Sequence, residues 1–267
     1  MTSRGQKILL TMINASLKAG AEILKVKSGD FSIREKEDNS PVTDADYAAQ
    51  NTIADMLAPL GIPMISEESS AEDYPLRKDW REVFIIDPLD GTKEFINGSP
   101  QYGVNIALVR DGAPVAGVIF LPENNRLYFG SEELPVVCAT CTPQDGFSSL
   151  EEIKYKSLPL GETSDHYILL VSKSRKTAEM EKYLEDFRRD NPQAEILPMA
   201  SCVKYCTIAE GRANQYTRYG SVMEWDTAAG DALLRSQGLP LRSIRTGEPL
   251  VYNKEILYST DFMVKRP

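Results

Sequence analysis

The stretch VFIIDPLDGTKEFINGSP, from Val83 to Pro100, sets two acids, Asp87 and Asp90, at the end of an apolar run and follows them at once with Gly91 and Thr92. Two carboxylates a few ångströms apart repel by about 4 kcal/mol at an effective dielectric of about 20. A chain that keeps them together must raise their pKa values, separate them or supply a cation. Hard oxygen ligands favour Mg2+, which keeps waters and takes about one or two carboxylates per ion, so a larger set of acids implies about two or three ions. Gly91 lets the backbone turn sharply and approach a ligand closely, and TKEFI can start a short helix whose free N–H groups face an anion. A metal beside an anion-binding turn is the chemistry of a bound phosphate. The same residues also suit a plain Asp-Pro turn, fixed by Pro88 and completed by Asp90-Gly91. The short motif alone leaves both choices open.

A turn does not account for the acids elsewhere. IPMISEES reads as a short strand ending in Glu67 and Glu68, and EVFIID as another ending in Asp87, so both strands deliver acids at their C-terminal ends. EWDTAAGDALL sets Asp226 just before a small-residue helix, as an N-cap and a candidate ligand. In PVTDADYAAQNTIADMLAPLG, Thr43 and Asp46 form a capping box with Asp in place of Glu, and Pro59 and Gly61 close the helix.

The elements that must carry these residues follow from periodicity. Ile8, Leu9, Met12, Ile13, Leu17, Ala21 and Leu24 recur at three- and four-residue intervals and predict an N-terminal amphipathic helix. KSGDFSIREKEDNSP is charged and reads as a loop or mobile hairpin. YGVNIALVRDGAPVAGVIFLP predicts two strands joined at Asp111-Gly112, and RLYFG a third. From Ser131 to Asp165 the period fades, and a lobe boundary is placed there: residues 1–138 as an N-terminal α+β lobe with most ligands, 139–267 as a C-terminal α/β lobe with the last one. In the second half a strand at Tyr167–Val171, a helix over about 177–189, a strand near Glu195–Leu197 and a helix at SCVKYCTIAEG alternate, which predicts a layered α/β architecture.

Bulk properties exclude several classes. Acids outnumber bases 39 to 30, a formal charge of -9, so the electrostatic attraction behind nonspecific nucleic-acid affinity is missing. A nucleic-acid polymer is therefore not the expected partner, while a small phosphorylated ligand is. No apolar run reaches the roughly 18 residues of a membrane span. Four cysteines are too few for a disulfide scaffold. Cys138 and Cys141 form a C-x-x-C, and Cys202 and Cys206 sit four apart on a predicted helix, but cysteine is commonly a small buried hydrophobe. The single His166 excludes motifs that need two histidines. The expected location is the cytoplasm, at most peripheral to the inner membrane.

SEES, DPLDGTKEFI and EWDTAAGDALL, in that order and at these separations, resemble the Mg2+-dependent, lithium-sensitive inositol monophosphatase superfamily. Within it, the Lys93-Glu94-Phe95 continuation, PVTDAD, VNIAL and the series SCVK, AEG, YTRYG, EWDTAAG are similar to the 3'(2'),5'-bisphosphate nucleotidases of CysQ type. The resemblance runs from about Ala19 to the C-terminus and thins over 131–165. It implies a two-lobed αβαβα sandwich, the α/β fold of the inositol monophosphatase and sugar phosphatase type, with metals at the lobe junction. By position, Glu67, Asp87 and Asp90 match the family's metal carboxylates, the Leu89 carbonyl a further ligand, and Asp226 the ligand from the second lobe. Asp46 and Thr92 match the pair that orients the attacking water, with Glu67 beside them in the catalytic set.

The implied reaction is in-line attack of a metal-activated water on the 3'-phosphate of adenosine 3',5'-bisphosphate, giving AMP and phosphate. Gly91 and Thr92 would hold phosphoryl oxygens through their N–H groups, and Ser201, Lys204, Arg218, Glu224 and Asp226 are the other implied substrate contacts. Lys204 and Arg218 are the cations expected for a second phosphate. One departure is Arg175 in VSKSRKT, where relatives commonly carry His, so contacts near Ser174 are expected to differ. The nearest alternative is the same hydrolysis of inositol monophosphate or a sugar phosphate, against which Lys93-Glu94-Phe95 and Glu224 speak. A haloacid-dehalogenase mechanism needs Asp-x-Asp, and two residues separate Asp87 from Asp90. A non-catalytic metal-binding interaction protein is the alternative from another class, although every expected ligand is retained. Monomer and homodimer are both left open.

Overall fold

The apolar stripe at the start folds as the helix Ser3–Lys27, capped by the Thr2 hydroxyl, which accepts from the Gly5 N–H. Ile8, Leu9, Met12, Ile13, Leu17 and Ile23 are buried along it, while Ala21 and Leu24 are only half-buried. It packs on the helix Asp44–Leu57, which begins with the expected capping box. The computed structural model describes residues 1–69, 72–160, 166–173 and 177–266; Ser174 and Arg175 lie outside them.

Both helices cover one face of a seven-stranded sheet, ordered Met64–Ser66, Glu82–Asp90, Gly103–Arg110, Ala113–Leu121, Arg126–Ser131, Leu134–Thr140 and Tyr155–Ser157. Neighbouring residues leave a strand on opposite faces. Phe84 and Ile86 join the core with the two helices, whereas Val83 and Ile85 join a second core with the helices Val203–Ala209 and Ala228–Arg235. Strands covered on both faces need continuous apolar runs, as VFII is. Beyond the second helix layer lies a five-stranded sheet, ordered Glu195–Met199, Ile168–Ser172, Gln215–Arg218, Phe262–Lys265 and Arg242–Ser243. Its outer face packs on the helix Ala178–Asp190 through Leu169, Val171, Met180 and Phe187. Helix, sheet, helix, sheet and helix make the αβαβα sandwich.

Several local expectations are met or refined. Asp111 and Gly112 both take positive φ, 47° and 79°, and make the hairpin turn. The charged segment after the first helix contains a hairpin, Ile33–Glu35 paired with Pro41–Thr43. Thr227, not Asp226, is the N-cap of Ala228–Arg235; the Asp226 carboxylate instead accepts the Met223 N–H at 2.9 Å. The strand Leu134–Thr140 runs through the boundary expected at 138/139, and Tyr155–Ser157 pairs onto it, so the first sheet continues to Ser157. All four cysteines are buried thiols. Burial pushes Cys138 and Cys141 up to about 11, which makes them poor nucleophiles.

Two features of the large sheet position the acids. Met64–Ser66 runs parallel to Glu82–Asp90 with Ser66 opposite Ile86, so the next residues, Glu67 and Asp87, emerge side by side at the same sheet edge. Asp87 pairs with Asn105 but Asp90 with Gly103, a one-residue bulge. In a regular strand residues three apart would face opposite ways. The extra residue cancels that alternation and returns Asp90 to the side of Asp87.

Candidate active site

Glu67, Asp87 and Asp226 each offer a carboxylate oxygen, and the three oxygens lie within 4.8 Å of one another. Asp87 Oδ1 accepts the Leu89 N–H at 3.0 Å; its Oδ2 is buried and has no hydrogen-bond donor among the described residues. Burial, then the charges of Glu67 and Asp90, hold the Asp87 carboxyl well above the usual carboxylate range. Burial and the Asp90 charge push Asp226 up to about 7. Burial also raises Glu67, although Lys36 opposes it. An orphaned carboxylate oxygen among mutually repelling acids is a donor set that fits a hard divalent cation.

Lys36, on the hairpin Ile33–Glu35/Pro41–Thr43, donates to Glu67 at 2.8 Å and Glu68 at 2.6 Å. Burial alone would lower the Lys36 ammonium, but Glu67 and Glu68 more than reverse this and raise it. Nothing in the charged segment around it marked Lys36 in the sequence. Asn105, whose Nδ2 donates to Asp90 Oδ2 at 3.2 Å, did carry a signal as the lone polar residue of VNIAL.

The capping box at the second helix does two jobs. The Thr43 N–H and hydroxyl both donate to Asp46 Oδ2, at 2.7 and 2.6 Å. This leaves Oδ1 for the Thr92 hydroxyl, at 3.0 Å. The Leu89 carbonyl lies 3.3 Å from the same hydroxyl. Burial raises the Asp46 carboxyl, against the bonds from Thr43. Gly91 precedes the short helix Thr92–Ile96 with φ 103°, and no side chain caps it. A Cβ there would sit 2.9 Å from the Gln101 carbonyl oxygen and 3.2 Å from Ser201 Cβ, so both conformation and space require glycine.

Next to the acids, a cavity of about 150 Å3 is lined by Asp90, Gly91, Asp226, Ser201, Lys204 and Arg218. Ser201, at φ 56°, donates its hydroxyl to the Asp90 carbonyl at 2.8 Å and so ties the second lobe to the loop before Gly91. Lys204 is buried, unlike a solvated helix-face lysine; it donates to the carbonyls of Ser201 at 2.7 Å and Met199 at 3.3 Å. Its ammonium also lies 5.4 Å from the centre of the Tyr216 ring. Arg218 donates through one guanidinium nitrogen to Ser172 Oγ at 2.6 Å, while its buried Nε has no acceptor among the described residues. Ser172, Lys173 and Glu94 also line the cavity. The cavity is therefore lined by both acids and cations.

Glu224 does not line this cavity. Its carboxylate is fully buried and accepts from the Asn253 and Lys254 N–H groups, at 2.6 and 3.2 Å, and from the Lys254 ammonium. The side chain expected to contact the substrate thus holds three donors from the 253–254 loop.

The inositol monophosphatase family model matches residues 6–265. The chain is 34% identical to the 3'(2'),5'-bisphosphate nucleotidase CysQ of Escherichia coli (strain K12) over 88% of this chain and 89% of that one. It is 30% identical to the protein of the same name from Haemophilus influenzae, over 99% and 94%. A crystal structure of CysQ from Bacteroides thetaiotaomicron superposes with a TM-score of 0.87 at 37% identity, covering 97% of both chains. SuhB of Bartonella henselae, at 22% identity and a TM-score of 0.74, shares the fold. The chain belongs to the inositol monophosphatase family.

Proposed function

We propose that the protein is a Mg2+-dependent phosphatase that removes the 3'-phosphate of adenosine 3',5'-bisphosphate, releasing AMP and phosphate. One observation carries this: Asp226, a member of the three-acid cluster with Glu67 and Asp87, lines the same cavity as two cations, Lys204 and Arg218. A molecule bearing two phosphates can engage metals at the acids and the two cations at once. The similarity to CysQ proteins named for this activity supports the same choice.

Glu67, Asp87, Asp90 and Asp226, with the Leu89 carbonyl, would hold about two or three Mg2+ ions, a number that follows from the few carboxylates each ion accepts. Bound there, Mg2+ supplies Lewis acidity to the phosphoryl oxygens and lowers the pKa of water. The remaining work falls to the chain. Asp46 Oδ1 takes the Thr92 proton, which leaves the Thr92 oxygen free to accept the proton of the attacking water. The N–H groups of Gly91 and Thr92 hold the transferred phosphoryl, preorganised by the Gly91 turn and by the Ser201 bond to Asp90. Lys204 and Arg218 bind the 5'-phosphate, and the unpartnered Arg218 Nε supplies a donor for it. The substrate is thus a small nucleotide, acted on in the cytoplasm by a monomer or a homodimer, which light scattering distinguishes.

The test is phosphate release from adenosine 3',5'-bisphosphate, adenosine 3'-monophosphate and inositol monophosphate, with Mg2+ and with a chelator. Losing charge-assisted bonds worth about 2 to 3 kcal/mol should make the monophosphates poorer by roughly 30- to 150-fold in kcat/KM. Equal turnover of inositol monophosphate, or activity unchanged by chelation, overturns the assignment.

A further inference from the structure

The bonds of Glu224 lead away from the substrate and across the lobes. The main chain of 253–254, whose N–H groups Glu224 receives, is itself held from the first lobe. Arg77 is buried and donates to Asn253 Oδ1 at 2.8 Å, to the Glu255 carbonyl at 2.9 Å and to the Glu72 carbonyl at 3.1 Å. Asn253 returns a bond from its Nδ2 to the Arg77 carbonyl at 3.0 Å. Arg77 ends the helix Tyr74–Arg77, in the connection between the strands that deliver Glu67 and Asp87. At the other end, Glu224 opens the short turn Glu224–Asp226, and its carbonyl accepts from the N–H and hydroxyl of Thr227.

We propose that Arg77, Asn253, Lys254 and Glu224 form a polar strut, buried at Arg77 and Glu224, that sets where Asp226 stands relative to Glu67 and Asp87, making Glu224 a positioning residue for metal binding and not a nucleotide contact. The inference rests on the metal assignment made above. Its physical basis is the economy of buried ion pairs. A Glu–Lys pair whose carboxylate is buried and whose ammonium is partly exposed, as here, contributes little net stability, because desolvation of the acid offsets the attraction. What it does supply is direction, since each bond admits a narrow range of lengths and angles. Asp226 is the one member of the acid cluster from the second lobe, so its distance to the others depends on how the lobes are registered. A strut from the Glu67–Asp87 connection to the Asp226 turn fixes that register.

Two variants test this by calorimetric titration of Mg2+ into the nucleotide-free protein, together with KM at saturating Mg2+. Glu224→Gln removes the charge that Lys254 neutralises. Asn253→Gly removes both side-chain bonds to Arg77 while keeping the backbone, since φ at Asn253 is 60° and glycine tolerates it. Groups that orient a metal ligand typically change affinity by about 10- to 100-fold, and the Mg2+ dissociation constant is expected to rise about ten-fold in Glu224→Gln and about three-fold in Asn253→Gly. KM for the bisphosphate at saturating Mg2+ should stay within about two-fold, as uniform nucleotide contacts are untouched. A raised KM with unchanged Mg2+ affinity makes Glu224 a nucleotide contact and overturns the strut. A lowered melting temperature with neither constant changed makes it purely structural and overturns it too. Should Glu224→Gln not fold, Asn253→Gly decides alone. If the unaltered protein and Asp226→Asn both bind no Mg2+, the metal assignment itself is wrong; if Asp226→Asn alone loses binding and Asn253→Gly keeps it, only the strut is.

Discussion

Replacing Asp226 by Asn should stabilise the metal-free protein while destroying its activity. Asp226 sits among other acids, and its carboxyl is pushed from an ordinary 3.8 up to about 7, first by burial and then by Asp90. A folded-state pKa above the unfolded value means stability that is present at low pH and lost as pH rises through about 7. At about 1.4 kcal/mol per ten-fold change in proton affinity, the full cost of ionising this group at high pH is about 4 kcal/mol. Asp226 is partly open to the cavity, where solvent screens its charge, and halving the figure for that leaves about 2 kcal/mol. Asn resembles the protonated acid and still offers an oxygen to the Met223 N–H. At about 2 to 4 °C per kcal/mol for a chain of this size, Asp226→Asn should melt roughly 4 to 8 °C higher than the parent near pH 8 in chelator. Near pH 5 the gap should shrink to less than half, because the folded acid is then mostly protonated while the unfolded one, at an ordinary 3.8, is already ionised. Excess Mg2+ should raise the parent's melting temperature and leave the variant's where it was, and phosphate release by the variant should fall at least about 100-fold. Scanning calorimetry at the two pH values is the assay. A variant that melts below the parent near pH 8 without metal, or a difference independent of pH, would refute the view that the acids repel in a site built for a cation.

Other outcomes follow from the same geometry. Thr92→Val removes the hydroxyl bonded to Asp46 at 3.0 Å and should lower kcat by about 100- to 10,000-fold; unchanged Mg2+ affinity in calorimetry separates this from a ligand loss. Arg218→Met should raise KM for the bisphosphate by about 10- to 100-fold, the worth of one or two charge-assisted bonds, with little effect on adenosine 3'-monophosphate. Gly91→Ala would force a Cβ to 2.9 Å from the Gln101 oxygen at φ 103°, a strain of about 1 to 3 kcal/mol visible in chemical denaturation and accompanied by loss of turnover.

Much of this site was legible because it is built at the ends of elements. A strand buried on both faces needs a run such as VFII, and its sharp stop at Asp87 marks where the chain leaves the core. The Thr43–Asp46 box was readable because capping is local, confined to one turn. Its second use, as the seat for Thr92, depends on a residue 46 positions away and was known only by resemblance. Glu224 shows the opposite case. Resemblance alone nominated it as a substrate contact, and the loop at 253–254, which comes from 29 and 30 residues further along, bonds its carboxylate. Lys36 likewise gave no periodic signal, since a lysine in a charged segment looks the same whether it faces water or Glu67.

The amino-acid sequence by itself determined the kinds of element, their order, and which acids would stand at their ends, because these depend on side-chain periodicity and on turn residues acting over a few positions. The tertiary structure alone decided that Met64–Ser66 lies parallel to Glu82–Asp90, that a bulge brings Asp90 back beside Asp87, and that Asp226 arrives from the other lobe. It also decided that Glu224 turns to Lys254. Those choices are made by pairing and packing between segments far apart in the chain, where geometry, and not local propensity, selects the partner.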